Sequence, residues 1–233
     1  MTMRARRDCS LGLPERQDRP RLLVATIDCP PAQGGIQRMV DEFARRSTAG
    51  WDVTVLAPAY PGSHGYDDSV SFRIRRTQKS WADSRIGVLQ AMATVVHHER
   101  ADLLVAAHLN VLPPLVLAGR RRPLVLFLYG SELWTARGHL LARALGRRVT
   151  RGLAISRFTA EQAAKVGIAA SRISVTPPGA DLQDAKASDK ILEGLGLRTG
   201  GGVAPFLLSV SRLSEPHKGH DLVIRAMPAI LRR

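Results

Sequence analysis

The sequence predicts an α/β fold with a mainly parallel, doubly wound sheet, and three observations support this fold class. Short apolar segments alternate with amphipathic segments from residue 21 to residue 181, as in repeated βαβ units. Apolar segments such as Arg21–Ile27 and Pro123–Leu128 are apolar on both faces, as strands covered by helices on both sides must be. The amphipathic segments carry apolar residues at helical spacing.

Each element follows from its own residue pattern. Strands are predicted where a short apolar or alternating run ends at a proline, glycine or acidic residue, and helices where apolar residues recur every three or four positions. The predicted strands are 21–27, 52–57, 70–76, 102–107, 123–128, 152–155 and 172–176. The predicted helices are 34–47, 82–99, 135–149 and 157–166, and Ser156 is expected to be the N-cap of the last one. Residues 21–181 are therefore expected to form one complete Rossmann-like domain.

The segments outside this domain differ in composition. Residues 1–20 are basic and lack an apolar core, so we predict a disordered tail. Residues 182–204 are polar and then glycine-rich, which is typical of an interdomain linker. Residues 205–233 contain one predicted strand, Phe206–Ser211, and one predicted helix, Gly219–Leu231, which bury too little apolar surface to fold alone. We interpret them as the first strand–helix unit of a second, incomplete Rossmann-like domain. The alternative is an added edge on the first sheet.

Composition excludes several classes of protein. The 233 residues are 45% hydrophobic, which is too apolar for a disordered chain, and no apolar run approaches the about 18–20 residues that cross a bilayer. The two cysteines form no CxxC or Cys/His cluster, so a disulfide scaffold or structural zinc site is not expected. With no readable secretory signal, we expect a cytoplasmic location.

The net charge of +14 favours anionic partners: phosphates, acidic lipid headgroups or nucleic acid. The arginines are dispersed, and no helix-turn-helix, RNP or aromatic stacking signature is present, so no nucleic-acid partner is predicted. Peripheral contact with an anionic membrane at the inner face of the plasma membrane remains an expectation.

Candidate ligand contacts lie in the loops after the carboxyl ends of strands, where open α/β sheets bind ligands. Gly34 and Gly35 open the first predicted helix, where backbone amides and the helix dipole favour an anion. A tight turn with positive φ is the alternative. Tyr129, Ser131 and Glu132 follow the strand that ends at Leu128 and are suited to hydrogen-bond a polyol. For these residues the alternative is a turn and helix cap.

Two cations of the C-terminal segment stand at the end of a predicted strand and the start of a predicted helix. Arg212 ends the predicted strand and Lys218 begins the predicted helix, so both are expected to converge with helix amides on one anion-sized space, as a diphosphate requires. A solvated surface is the alternative. Neither GxGxxG nor GxxxxGK[ST] occurs, so neither a dinucleotide fingerprint nor a P-loop is predicted.

Taken together and in order, these motifs resemble the group 1, family 4-type glycosyltransferases with the GT-B architecture. The resemblance covers about residues 21–233. The matching motifs are GGIQR at 34–38, YGSE at 129–132, AISRFT at 154–159, PPGAD at 177–181 and LLSVSRLSEPHKGHDLVIRAM at 207–227. The last is the most specific, because it is similar to the start of the donor-binding domain throughout that family.

The resemblance implies two Rossmann-like domains that face each other across a cleft. It also implies transfer of a sugar, with retention, from a nucleotide diphosphate-sugar to a lipid-linked or saccharide acceptor, with no cofactor and typically no essential metal. The segment with which that family grips the donor sugar and ribose lies beyond residue 233. We therefore expect little or no transferase activity from this chain by itself.

The resemblance also assigns roles to residues. Arg212 and Lys218 would neutralise the departing diphosphate and, with Tyr129 and Glu132, form the catalytic set. Gly34 and Gly35 would bring helix amides toward the same phosphate, and Ser131 would lie near the sugar or acceptor. Tyr129 stands where the family usually has a histidine. His108 does not match that motif.

Two other functions fit parts of the sequence. A basic peripheral membrane or glycan-binding module without catalysis would use the cation surplus alone. An NAD-dependent dehydrogenase would share the fold, but this sequence lacks the glycine fingerprint of such enzymes.

Overall fold

A computed structural model describes residues 19–179, 193–199, 202–203, 206–211 and 218–232. The chain divides into two compact units, one ending at Gly179 and the other starting at Ala180. Most of the predicted tail (1–20) and of the predicted linker (182–204) lies outside the described residues. The predicted domain boundaries therefore stay predictions.

The first unit is built on a seven-stranded sheet. Its strands are β1 (Arg21–Ala25), β2 (Asp52–Ala57), β3 (Arg73–Arg76), β4 (Leu103–Ala106), β5 (Leu124–Leu128), β6 (Arg151–Ala154) and β7 (Ile173–Val175). They lie in the order β3-β2-β1-β4-β5-β6-β7, and every neighbouring pair is parallel. The predicted parallel, doubly wound Rossmann-like sheet is confirmed. In the second unit, β8 (Arg198–Thr199) pairs antiparallel with β9 (Gly202–Val203).

Helices connect the parallel strands, because such strands need crossover connections. They are α1 (Gly35–Ser47), α2 (His64–Ser69), α3 (Arg85–His98), α4 (Leu112–Ala118), α5 (Ala136–Leu145) and α6 (Arg157–Lys165). The Ser156 side chain accepts a hydrogen bond from the Thr159 amide at 3.1 Å, which confirms it as the N-cap of α6.

Helices α2 and α4 were not predicted. Helix α4 carries Pro113 and Pro114, and prolines inside an apolar run usually indicate a break. Both stand in the first turn, where a backbone amide has no helical partner to lose. Helix α2 is short and polar, so it has no apolar periodicity to detect.

The core lies on both faces of the sheet, as the two-sided apolar strands require. On one face α3–α6 pack over Leu23, Leu104 and Leu126. On the other face α1 covers the sheet, where the rings of Phe43 and Phe127 meet edge to face at 5.0 Å. No helix in the described part of the chain is long and apolar enough to cross a membrane.

The second unit differs from the expectation in one element. The predicted helix is present as His220–Ile230, with Gly219 as its N-cap at φ +69°, a backbone conformation that favours glycine. Residues 206–211 form no strand, because a strand requires a neighbour that pairs with its backbone amides and carbonyls. Instead, Oγ atoms of Ser209 and Ser211 contact the two ring nitrogens of His220 at 3.1 and 2.7 Å. The helix has no buried residue.

We expect Arg122→Ala to destabilise the first unit substantially. The Arg122 guanidinium donates hydrogen bonds to four backbone carbonyls at the C-terminal ends of α3 and α4, those of Val96, Glu99, Ala118 and Gly119. Hydrogen bonds from a charged donor are worth about 1.5–3 kcal/mol, so we expect a loss of about 2–3 kcal/mol in the free energy of unfolding. Urea denaturation measures it. The exposed neighbour Arg121 is the control, since Arg121→Ala should stay within about 0.5 kcal/mol of the wild type. Equal effects of the two variants would contradict this.

Candidate functional site

The sheet has its topological switch point between β1 and β4. Strand β1 pairs with both β2 and β4, and the chain leaves β1 toward β2 but leaves β4 toward β5. Because the two connections diverge, a crevice is expected outside the carboxyl ends of these strands, where open α/β sheets bind ligands. The loops after β1, β4 and β5 border it.

The loop after β1 is held from two sides. Thr26 is fully buried, and its Oγ1 donates to the Asp28 carbonyl at 2.8 Å and accepts from the Asp28 amide at 2.9 Å. Arg76, at the end of β3, donates to the Pro30 carbonyl at 2.6 Å and pairs with Asp67 of α2 at 2.7 Å. The Asp28 carboxylate accepts from Gln37 Nε2 of α1 at 2.9 Å. The loop therefore presents Asp28 in one orientation.

Gly34 and Gly35 form the start of α1. Gly34 is its N-cap with φ 164°, an extended conformation that any residue adopts, and Gly35 is helical, so the alternative of a positive-φ turn is wrong. A Cβ added at Gly35 would meet no atom within 4 Å. No side chain caps the helix, and its first turn has no acidic residue. The helix start is therefore open to an anion, and the binding of one stays a prediction.

The segment after β5 turns back on itself. Gly130 has φ +117°, which only glycine adopts without strain. The turn brings Glu132 Oε1 within 2.7 Å of the Tyr129 amide, which donates to it, while Ser131 is exposed. Glu132 is only 9% exposed. Its carboxylate thus caps the turn, as the alternative interpretation of this motif held.

Two buried polar atoms in this turn lack a hydrogen-bond partner among the described residues: Tyr129 Oη and Glu132 Oε2. Burial raises the pKa of Glu132, although backbone amides counteract it. Burial, and then the charges of Glu132 and Asp28, raise the pKa of the Tyr129 phenol, which stays protonated at neutral pH. The turn therefore holds a hydroxyl donor beside a carboxylate acceptor, and a hydroxyl-bearing ligand that reached them would satisfy both.

His108 lies after β4 and has a structural role. Its Nδ1 accepts a hydrogen bond from the Asn110 amide at 3.0 Å and so caps the short 3-10 turn that begins at Leu109. Burial lowers the pKa of His108 to about 4, so the ring is neutral at pH 7 with its proton on Nε2.

The predicted diphosphate contacts lie in the second unit. Lys218 is exposed and immediately precedes the N-cap Gly219. Arg212 lies outside the described residues, so the convergence of these two cations stays a prediction. No group of three or more His, Cys, Asp or Glu side chains is placed to hold a metal ion in the described ranges.

Asp28 and Gln37 adjoin the candidate site, and neither was predicted as a site residue. Asp28 was interpreted only as the end of a strand, although its position directly after the first strand of a Rossmann-like sheet is a usable signal. No sequence signal shows that Gln37 orients the Asp28 carboxylate. Nor does any signal show that the charge of Asp28 acts on Tyr129 and Glu132.

We expect Glu132→Gln to stabilise the protein more at pH 7 than at pH 4. The folded-state pKa of Glu132 lies above its unfolded value because of burial. The wild type therefore loses stability as the pH rises from the unfolded pKa through the folded pKa, and a neutral amide loses none. Urea denaturation of both proteins from pH 4 to 7 measures the difference. Glu161→Gln, at an exposed position of α6, is the control. If the difference in the free energy of unfolding between the two proteins does not increase with pH, burial does not raise the pKa of Glu132.

Residues 33–184 match Glycosyltransferase Family 4. Two curated relatives are GDP-mannose-dependent alpha-(1-6)-phosphatidylinositol monomannoside mannosyltransferases. The Mycolicibacterium smegmatis enzyme is 29% identical over 229 residues, and the Mycobacterium tuberculosis enzyme is 29% identical over 227 residues. Each alignment covers 91% of this chain and 58% of the relative, so the chain spans little more than half the length of these curated relatives.

Solved structures show the same fold. Anabaena Alr3699/HepE in complex with UDP-glucose superposes with a TM-score of 0.66 at 20% identity, covering 89% of this chain and 57% of that one. The lipopolysaccharide outer core galactosyltransferase WaaB superposes with a TM-score of 0.51 at 11% identity, covering 71% of this chain and 47% of that one. The family match spans more than half of the chain and includes both the open start of α1 and the buried turn at Tyr129–Glu132. The chain belongs to Glycosyltransferase Family 4.

Proposed function

We propose that this chain forms the acceptor side and the beginning of the donor side of a retaining GT-B glycosyltransferase. The reaction would transfer a sugar from a nucleotide diphosphate-sugar to a lipid-linked or saccharide acceptor. Within a family 4 fold, the observation that carries this proposal is a pair of buried atoms in the turn after β5, Tyr129 Oη and Glu132 Oε2, which have no hydrogen-bond partner among the described residues. A polyol places hydroxyl groups against such atoms and offsets the free-energy cost of their burial.

The proposed acceptor contacts divide into one donor and two carboxylates. The Tyr129 phenol donates to an oxygen of the ligand, and Glu132 accepts from a ligand hydroxyl. Asp28 accepts from a second hydroxyl, and its orientation is set by the loop after β1. Ser131, which is exposed, binds at the rim.

The departing diphosphate needs positive charge, and Tyr129 cannot supply it. A family histidine at this position can be protonated, whereas the Tyr129 phenol stays neutral because its pKa is raised. We therefore assign charge neutralisation to Arg212 and Lys218, aided by the open amides at Gly34 and Gly35. No resident metal or cofactor is part of this proposal.

The names of the relatives suggest the first substrates to test. They use GDP-mannose and act on a phosphatidylinositol monomannoside, so we propose a mannosylated inositol lipid as acceptor class and GDP-mannose as donor. We expect the 233-residue chain alone to transfer little or no sugar. A chimera that continues after residue 233 with the remaining part of the Mycolicibacterium smegmatis enzyme should transfer mannose, as radiolabel in the lipid fraction. Robust sugar transfer by the 233-residue chain alone would overturn the expectation that it is inactive. A chimera that folds but transfers no mannose would overturn the proposed reaction.

We expect Tyr129→Phe and Glu132→Gln each to weaken acceptor binding about tenfold. Each variant removes one hydrogen bond to the ligand, which is worth about 1–1.5 kcal/mol. Titration of the chain with detergent-dispersed phosphatidylinositol monomannoside, followed by calorimetry, measures the dissociation constant. Glu99→Gln should bind as the wild type does. If both variants bind the acceptor lipid with the affinity of the wild type, Tyr129 and Glu132 do not contact the acceptor.

A further inference from the structure

Polar contacts connect the loop after β1 to α1, and α1 to α2. The Asp28 carboxylate accepts a hydrogen bond from Gln37 Nε2 of α1 at 2.9 Å. One turn further along that helix, the Asp41 carboxylate accepts from Tyr66 Oη of α2 at 2.6 Å. Arg45 pairs with the same carboxylate at 2.8 Å and balances its charge. Helix α2 is therefore fastened to the helix that orients Asp28.

Arg76, at the end of β3, closes these contacts into a ring. Its guanidinium donates to both carboxylate oxygens of Asp67 in α2, at 2.7 and 2.8 Å, and to the Pro30 carbonyl at 2.6 Å. Pro30 lies two residues after Asp28. The ring thus runs from the loop after β1 through α1, α2 and β3 and returns to the same loop. A further hydrogen bond, to the Pro58 carbonyl at 3.2 Å, adds the residue that follows β2.

The pair of Arg76 and Asp67 is shielded from water. The two side chains are 11% and 21% exposed, so the ion pair is less screened than one on the surface. An arginine that meets both oxygens of a carboxylate fixes geometry, because its planar fork cannot turn without losing both hydrogen bonds. The backbone carbonyls that accept from the same fork are held in place with it.

Arg76 is equipped to position the loop and not to bind a ligand. Four of its five N–H groups are engaged, two by Asp67 and two by backbone carbonyls. Asp67 also balances its charge. What Arg76 controls is therefore the conformation of the loop between Asp28 and Pro30.

We propose that Arg76 is a positioning residue for the acceptor site, which acts through the loop after β1 on the Asp28 carboxylate. The inference rests on the proposed function, in which Asp28 accepts from an acceptor hydroxyl. A loop that sampled other conformations would present this carboxylate correctly for only part of the time, and the apparent affinity would fall by that fraction. The ring orders the loop before the ligand arrives.

Titration with detergent-dispersed phosphatidylinositol monomannoside tests this role. Arg76→Ala should raise the dissociation constant about tenfold, the order expected when one hydrogen bond to a charged group is misplaced. Arg122→Ala is the matched control, because Arg122 also donates four hydrogen bonds to backbone carbonyls, but at the ends of α3 and α4. It should lower stability and leave the affinity unchanged. Equal losses of affinity in the two variants would overturn the proposal.

Arg76→Lys serves if Arg76→Ala does not fold, as judged by circular dichroism. Lysine keeps the positive charge beside Asp67 but has no planar fork to join Asp67 to Pro30, so the affinity should fall in the same direction. Wild-type affinity in a folded Arg76 variant contradicts a positioning role.

A double-mutant cycle tests whether Arg76 acts through Asp28. Asp28→Ala alone should weaken acceptor binding. In that background Arg76→Ala should cause no further loss, because no carboxylate remains to be positioned. If the two losses multiply instead, Arg76 affects binding by another route and the proposal is wrong.

Thiol labelling tests the loop without a ligand. Cys29, next to Asp28, is a free cysteine and 5% exposed, and its Sγ lies 3.9 Å from Arg76 Nη2. With Cys9 replaced by serine, uncharged N-ethylmaleimide should label Cys29 about tenfold faster in Arg76→Ala than in Arg122→Ala, because only the first opens the loop locally. Equal labelling rates would show that Arg76 does not hold the loop. Acceptor lipid that fails to bind even the wild type overturns the proposed function, and the labelling rates then still decide the role of Arg76.

Discussion

The pairing of β1 with both β2 and β4 is the constraint on which the rest of the structure depends. Five residue pairs align β1 with β2 and four align it with β4. Because the connections of β1 and β4 leave in opposite directions, their loops diverge at the carboxyl edge, the place where open α/β sheets bind ligands. The buried Thr26 hydroxyl, bonded to both backbone groups of Asp28, ends β1 at this point and aims the loop that follows. The position of each candidate site residue of the first unit follows from this arrangement.

The carboxyl edge also holds the least compensated polar groups in the described structure. Glu132 is buried with one oxygen unpaired, and the phenol of Tyr129 is unpaired beside it. The fold tolerates this arrangement because neighbouring backbone holds the turn rigidly. Gly130 adopts a φ that other residues avoid, and Gly138 of α5 packs so closely that an added Cβ would come within 1.8 Å of the Glu132 carbonyl oxygen. Binding sites commonly keep such unfavourable groups at the expense of stability.

Charge and topology act together at this edge. The chain carries a net charge of +14, yet its exposed cations and acids are not evenly mixed, since residues 103–160 hold a single acid and that one is buried. The strand–helix connections of a parallel sheet place the N-termini of α5 and α6 at the same edge as the crevice. The starts of α5 and α6 therefore lie beside the polar cluster of Tyr129 and Glu132.

The sequence by itself determined the alternation of strands and helices and the Ser156 cap, because apolar periodicity and capping are local properties. It also pointed to Gly34, Gly35, Tyr129, Ser131 and Glu132, since residues after strands gather at one edge of a parallel sheet. Helix α4 was missed because prolines in a first turn look the same as prolines that break a helix, and a strand at 206–211 was predicted without a partner to pair with. Only the tertiary structure decided the strand order, the burial of Glu132 and the action of Asp28 on Tyr129, because these depend on contacts between residues far apart along the chain.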